Sequence, residues 1–281
     1  MPALLIDQAL AQAQAAGLQR LEVQRLLQHL VQQGRAWLLA HGDEALSAEQ
    51  ATAWQALVAR RCDGEPLAYL TGEREFHGLS LRVSPAVLVP RPDTETLVDW
   101  ALELLAGPLA AHAAPQVADL GTGSGAIALA VKHRCPRAEL RASDASPEAL
   151  AVARENGLRL ALPVTWLQGS WWQPYNAPAL QLALSNPPYI AAGDPHLPAL
   201  RHEPMSALVP PGGDGLAALA ALIDGAHAHL TPGAWLLLEH GFDQADAVAS
   251  LFHAAGFADV QHRRDLGGHR RCTGACRPGV S

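Results

Sequence analysis

Four groups of residues in this chain have the types and spacing to do chemistry. The first is VADLGTGSGAIALA, residues 117–130. Asp119 closes a strand-like stretch there, and Gly121-Thr122-Gly123-Ser124-Gly125 opens a helix-like one. Glycines let the chain turn tightly and bring backbone N–H groups close to a ligand. The G-x-G-x-G spacing is shorter than the dinucleotide pattern, which favours a nucleoside ligand carrying a carboxylate over one carrying a pyrophosphate. The second group is Asp144 in LRASDAS, at the distance of about 20 residues from which an acidic side chain accepts both ribose hydroxyls. Alone, Asp144 also reads as the N-cap of a helix beginning at Pro147 and Glu148. Together with the glycine loop it favours ribose binding. The third is QGSWWQP, residues 168–174, where Trp171 or Trp172 could lie against a flat purine with Ser170 at its edge, or pack in the core. The fourth is Asn186-Pro187-Pro188-Tyr189. It is either a turn that ends a strand or a grip in which Asn186 and the backbone beside it hold a planar –NH2 group.

These groups need a frame. From Gln116 the sequence alternates strand-like and helix-like runs: QVADL, AIALAVKHR, AELRASD, PEALAVARENGLRL, VTWLQGS, LQLALSN, GLAALAALIDGAHAHL, AWLLLEH, DQADAVASLFHAAG and DVQHRRDL. Strands separated by helices imply βαβ units and an α/β fold with a mostly parallel, doubly wound sheet. All four groups then fall at carboxyl ends of strands, on the rim where open α/β sheets bind ligands. That shared rim argues against NPPY being a simple turn. Residues 1–75 read as a helical N-terminal domain. Three amphipathic runs there stop at Gly17, Gly34 and Gly64, and Ser47 with Gln50 forms a capping box at the start of the third. The domain holds no cluster of titratable groups, so packing or docking is its expected role. Residues 76–92 read as a β-hairpin linker, with LSLRV and AVLV as its strands. Residues 93–281 form the third segment, opening on a helix from Asp93. The stretch 191–215 is long and Pro-rich for a loop, which points to function or disorder. Arg201, His202 and Glu203 in it are candidates for partner contacts or solvated charges, and Arg91 and Glu95 for a brace of the domain junction.

Composition narrows the classes. The 281 residues carry a formal net charge of −7, which weighs against a protein that coats nucleic acid. No apolar run reaches the ~18 residues of a membrane span, and the N-terminus lacks the basic region of a signal peptide. Lys132 is the single lysine among 20 basic residues, a composition bias without functional content. Cys62, Cys135, Cys272 and Cys276 are scattered, as in a reducing cytoplasm. Cys272 and Cys276 have C-x3-C spacing but no second ligand pair, so no metal site is expected.

The residues Asp119-x-Gly121-x-Gly123-x-Gly125, Asp144 and Asn186-Pro187-Pro188-Tyr189 resemble the class I S-adenosylmethionine-dependent methyltransferases that act on planar –NH2 nitrogens. The likeness narrows with GEPLAYLTGEREFHGLSLRVSP (64–85), LVPRPDTETLV (88–98), SNPPYI (185–190), HEPMSAL (202–208) and GGDGL (212–216). In order and spacing these blocks resemble the release-factor glutamine methyltransferases, the HemK/PrmC family. The resemblance implies a Rossmann-like class I methyltransferase domain in a cytoplasmic enzyme. Its cofactor would be S-adenosyl-L-methionine, converted to S-adenosyl-L-homocysteine. Its target would be the glutamine amide in the Gly-Gly-Gln loop of class I peptide-chain release factors. It further implies that Gly121, Thr122, Gly123, Ser124 and Gly125 hold the methionine end of the cofactor, Asp144 the ribose and Trp171 the adenine region, with Asn186 bordering it. Asn186, Pro187, Pro188 and Tyr189 would hold the target glutamine, with Asn186, Pro187 and Tyr189 serving catalysis. A monomer is expected, with no direct nucleic-acid or membrane partner. Two departures stand out. Ser170 occupies a position where the family often has an acidic residue, and the tail around Cys272, Cys276 and RPGVS has no counterpart. The alternatives are methylation of an exocyclic adenine or cytosine amine, which predicts a basic groove, and a non-catalytic binding scaffold, which predicts loss of Asn186 or the glycine loop.

Overall fold

Runs that are apolar at every position, such as residues 182–184 and 234–238, satisfy both faces only inside a sheet covered on both sides. The computed structural model describes residues 3–176 and 179–279, and there both runs are central strands. The chain divides into two compact units, Met1–Glu73 and Arg74–Ser281. No helix among the described residues is long and apolar enough to cross a membrane.

The first unit is helical: α1 (Ile6–Ala15), α2 (Arg20–Val31), α3 (Arg35–Ala40), α4 (Ala48–Cys62) and α5 (Leu67–Thr71). One core joins Ile6, Leu26, Leu27, Leu38, Trp54 and Leu70. Ser47 caps α4 as its spacing indicates: its Oγ accepts from Gln50 N–H at 3.1 Å, and Gln50 Oε1 accepts from Ser47 N–H at 3.0 Å. The second amphipathic run ends earlier than Gly34. Gln32 takes the left-handed turn at φ 55° and closes α2, and Gly34 instead precedes α3. The short helices α3 and α5 are too brief to carry a readable period.

The second unit opens on a hairpin of β1 (Glu73–Phe76) and β2 (Leu79–Arg82). Its two turn residues, His77 and Gly78, have φ of 49° and 78°, the mirror-image turn that matches strand twist. LSLRV is thus a strand, but AVLV is not. Residues 86–89 run as turn and coil, because the Val89 N–H is taken by the Glu203 carboxylate at 3.0 Å rather than by a neighbouring strand.

Seven further strands make one sheet: β3 (Gln116–Leu120), β4 (Glu139–Asp144), β5 (Thr165–Gln168), β6 (Leu180–Ser185), β7 (Leu230–Glu239), β8 (Ala258–Arg264) and β9 (Arg270–Cys276). Their order is β5-β4-β3-β6-β7-β9-β8. The first five are parallel, and β9 runs antiparallel between β7 and β8. The helices are α6 (Glu95–Ala106), α7 (Ala126–Arg134), α8 (Pro147–Arg159), α9 (Ala217–Ala226) and α10 (Ala245–Ala254). Strand β3 has β4 on one side and β6 on the other, so the winding reverses between β3 and β6. The ligand crevice of such sheets lies at that switch point.

Two apolar layers enclose the sheet. Leu182, Leu184 and Leu237 face α6 and α7 with Leu97, Trp100 and Ile127. Their strand neighbours Ala183, Leu236 and Leu238 face α9 and α10 with Ile223, Val248 and Phe252. In the first layer Trp100 meets Trp235 edge-on at 6.3 Å. Gly274 on β9 makes room for it, since a Cβ there would stand 2.3 Å from Leu237 and 2.7 Å from Trp100. Gly274→Ala is therefore expected to lower unfolding free energy by about 1–3 kcal/mol through overpacking. Chemical denaturation of the two proteins measures this.

Candidate functional site

The glycine loop begins where β3 ends. Gly121, Gly123 and Gly125 all have positive φ, at 74°, 56° and 83°. Two of these positions exclude a side chain on a second ground. A Cβ on Gly121 would stand 3.1 Å from the Trp171 ring, and one on Gly125 would stand 3.0 Å from Trp166 and 3.1 Å from Leu129. The N–H groups of Gly121 and Thr122 donate to the Ser143 carbonyl at 2.8 and 2.9 Å, pinning the loop to β4.

Asp119 holds the loop from below. Its Oδ2 accepts from Thr122 Oγ1 at 2.6 Å and from Ala128 N–H at 3.1 Å, while its buried Oδ1 has no partner among the described residues. Burial pushes its pKa up to about 7 against the two hydrogen bonds, with Asp144 adding to the rise. Asp144 ends β4. Its Oδ2 accepts from Gly123 N–H and its Oδ1 from Ser146 N–H, both at 2.9 Å. Burial raises the Asp144 pKa and these backbone donors pull it back.

These groups border one cavity of ≈ 710 Å³, within the range of small-molecule sites. Gly121, Thr122, Gly123 and Ser124 form one side of it, and Asp144 and Trp171 another. Asn186 and Pro188 line it as well. Gly125, Pro187 and Tyr189 are not on the wall. The two tryptophans divide: Trp171, at φ 47°, lines the cavity over Gly121 beside Ser170. Trp172 is buried, donates from Nε1 to the Leu222 carbonyl at 3.0 Å and stacks on His229 at 5.0 Å.

A nucleoside bearing an amino acid suits this lining: glycines without side chains to block close approach, a carboxylate, an indole, and the apolar residues Ala86, Val87 and Leu88. Among the described residues no group of His, Cys, Asp and Glu is arranged to hold a metal ion. Cys272 is buried on β9 and Cys276 is half-buried; residues 280–281 of the RPGVS tail lie outside the described residues.

Asn186 donates from Nδ2 to Thr94 Oγ1 at 3.2 Å, and its Oδ1 has no protein partner among the described residues. Tyr189 turns its hydroxyl away from the cavity onto Glu239 Oε1 at 3.3 Å. Its carbonyl accepts from Gln244 Nε2 at 3.0 Å, which also reaches the Gly215 carbonyl at 3.2 Å. The 191–215 stretch is ordered, and Pro204, Ser206, Ala207 and Val209 close the cavity. Glu203 does not face outward. It is buried, accepts from Val89 N–H and pairs with Arg91, fastening this stretch to residues 86–91. Glu95 accepts from His77 N–H at 3.0 Å and braces the hairpin turn.

Sequence reasoning passed over Thr94, Glu239 and Gln244. Glu239 carried the same signal as Asn186, a polar residue at the carboxyl end of an apolar strand. Thr94 had no local signal, since Asn186 lies 92 residues away, and nothing near Gln244 pointed to Tyr189, 55 residues away.

Known proteins agree with this architecture. Residues 5–72 match the PrmC N-terminal domain and residues 94–203 the methyltransferase small domain. A 16S rRNA N2 G1207 methyltransferase from T. thermophilus, solved with AdoMet and guanosine, has a TM-score of 0.55 to this chain. It is 19% identical and covers 73% of this chain and 49% of its own, a likeness of fold alone. The release factor glutamine methyltransferase of Bordetella pertussis is 49% identical over 92% of this chain and 95% of its own. That of Escherichia coli is 42% identical over 95% and 96%. With such identity along nearly all of each sequence, this chain belongs to the release factor glutamine methyltransferase family.

Proposed function

We propose that this enzyme methylates the side-chain amide nitrogen of the glutamine in the Gly-Gly-Gln loop of a class I release factor. The cofactor is S-adenosylmethionine, and the site of action is the cytoplasm, where translation ends. One observation carries the reading. The unpartnered Asn186 Oδ1 belongs to a side chain that borders the same cavity as the glycine loop and Asp144. An acceptor amide held by Asn186 would thus lie next to a ligand held by Gly121–Ser124 and Asp144.

Bound cofactor supplies a methyl group already activated on a sulfonium. The protein's task is then to prepare an amide nitrogen whose lone pair is delocalised into its carbonyl. Asn186 Oδ1 accepts one amide N–H and the Pro187 carbonyl, just outside the cavity lining, the other; together they bias the nitrogen toward tetrahedral geometry and stabilise the positive charge that develops. Pro187 and Pro188 fix φ and carry no competing N–H, so these acceptors are held in place before the substrate arrives. Alignment of this kind supplies up to ~7–11 kcal/mol of a barrier. No strong base is required, because the methylated amide loses its proton readily to water. Tyr189 supports the loop from behind the wall, and the helical unit, residues 1–73, docks the release factor.

Asn186→Ala is expected to lower kcat by about 10²–10³ while cofactor affinity stays within a few-fold. Asp144→Ala is expected to weaken S-adenosylhomocysteine binding by roughly 10–100-fold, the loss of hydrogen bonds to a charged group; calorimetric titration measures both affinities. The deciding assay uses labelled S-adenosylmethionine with a class I release factor and its Gln→Ala Gly-Gly-Gln variant. Label on the wild-type glutamine alone is the expected result. Label on nucleic acid instead would move the Asn186 site to a base amine.

A further inference from the structure

Two consecutive prolines stiffen residues 186–189 but carry no backbone N–H, so the loop depends on donors from elsewhere to fasten it. Gln244, the residue ahead of α10, supplies two of them. Its Nε2 donates to the Tyr189 carbonyl at 3.0 Å and to the Gly215 carbonyl at 3.2 Å. Its Oε1 accepts from Gly241 N–H at 2.9 Å. All three partners are backbone groups of fixed sense. A peptide N–H only donates and a peptide carbonyl only accepts, so the amide has one orientation here and uses both its hydrogens. Gln244 N–H also donates to the Gly241 carbonyl at 3.0 Å. The residue is thus locked to the turn after β7 before its side chain reaches the loop.

The two carbonyls it joins stand at the two ends of one long excursion. The chain leaves the acceptor loop at Tyr189, runs through the Pro-rich stretch and returns at Gly215, ahead of α9. The neck is tight. A Cβ on Gly215, where φ is 77°, would stand 2.7 Å from the Tyr189 oxygen and 2.9 Å from Gln244 Nε2. Ala192 N–H to the Gly213 carbonyl, at 2.8 Å, is the next tie inward. A neutral –NH2 group can serve two carbonyls at once, which a hydroxyl with its single hydrogen cannot. Asn186 and Pro188 lie just before one end of the neck, Pro210 and Pro211 just before the other, and all four line the cavity.

We propose that Gln244 is a positioning residue of the acceptor site, holding residues 186–189 and the 204–211 wall together through one doubly donating amide. This role rests on Asn186 being the amide grip. Gln244 is not on the cavity wall, so it acts through Tyr189 and Gly215 rather than on the reacting atoms. Its bonds reach neither the glycine loop nor Asp144. Turnover, rather than cofactor affinity, therefore depends on it.

The test measures kcat and the release-factor KM at saturating S-adenosylmethionine, well below the melting temperature of each variant. Calorimetric titration gives S-adenosylhomocysteine affinity alongside. Gln244→Met keeps the length of the side chain and loses its three bonds. Gln244→Glu keeps the acceptor for Gly241 and loses only the donors at the neck. Each is expected to lower kcat roughly tenfold, the effect of a lost hydrogen bond, with S-adenosylhomocysteine affinity within a few-fold of wild type. Gly215→Ala opens the same neck from the other side, and combined with Gln244→Met it should cost no more than either change alone.

A lowered melting temperature with wild-type kcat, or additive losses in the double variant, would reduce Gln244 to packing and overturn the role. A loss of cofactor affinity as large as the loss of kcat overturns it too. If Asn186→Ala abolishes turnover while both Gln244 variants keep wild-type kcat, the positioning role is wrong and the grip stands. If Asn186→Ala turns over normally, the grip itself is wrong and the role of Gln244 falls with it.

Discussion

The parallel register of β3, β6 and β7 is the constraint on which the site depends. Asp119 pairs with Leu184, and Leu184 with Leu237, so the three strands end almost level. Two residues past these stand Gly121, Asn186 and Glu239. A parallel sheet buried on both faces leaves only its ends for polar groups, and here three adjacent ends deliver a backbone loop, an amide and a carboxylate side by side. A slip of one residue in β6 would turn Asn186 to the opposite face. The Ser185 hydroxyl resists that slip by donating to the Leu120 carbonyl at 2.6 Å.

Two of the groups at this edge, Asp119 and Glu239, are fully buried carboxyls, each with one oxygen that has no partner among the described residues. Burial raises both to about 7, so ionising either one near neutral pH costs the folded state stability. Their cost is intelligible from what they hold. Asp119 ties the Thr122 hydroxyl and the first turn of α7 into the glycine loop, and Glu239 takes the Tyr189 hydroxyl behind residues 186–189. Sites that must be rigid commonly trade stability for position in this way.

Much of this was legible in the sequence, and the residues that were not share a cause. The glycine loop, Asp144 and Asn186 each lie within a short motif whose local chemistry demands those residue types. The alternation of strands and helices fixed the sheet and its rim. Legibility failed where a partner is distant in sequence. Val89 looks like a strand residue until its N–H is seen to bond Glu203, 114 residues on. The Asn186–Thr94 bond joins positions 92 apart, and no window of periodicity contains both. Gln32 ends α2 in a left-handed turn that glycine would be expected to occupy. Two glycines flanking the run, Gly17 at φ 96° and Gly64 at φ 92°, do follow the rule.

The long Pro-rich stretch completes the logic of the site. Residues 204–211 form a wall of the cavity yet belong to no strand or α-helix, so the stretch needs ties of its own. It has them at both ends: Ile190 N–H to the Leu208 carbonyl at 2.9 Å, and Ala192 N–H to the Gly213 carbonyl at 2.8 Å. Glu203 fastens the middle to Val89 and Arg91. Prolines at 204, 210 and 211 lower the entropy lost on fixing the loop. A cofactor that brings its own activated methyl leaves little for acid–base groups to do. Such a reaction asks instead for an acceptor held still and water kept out, and a cavity closed by tied, proline-stiffened loops meets both demands without a catalytic proton donor.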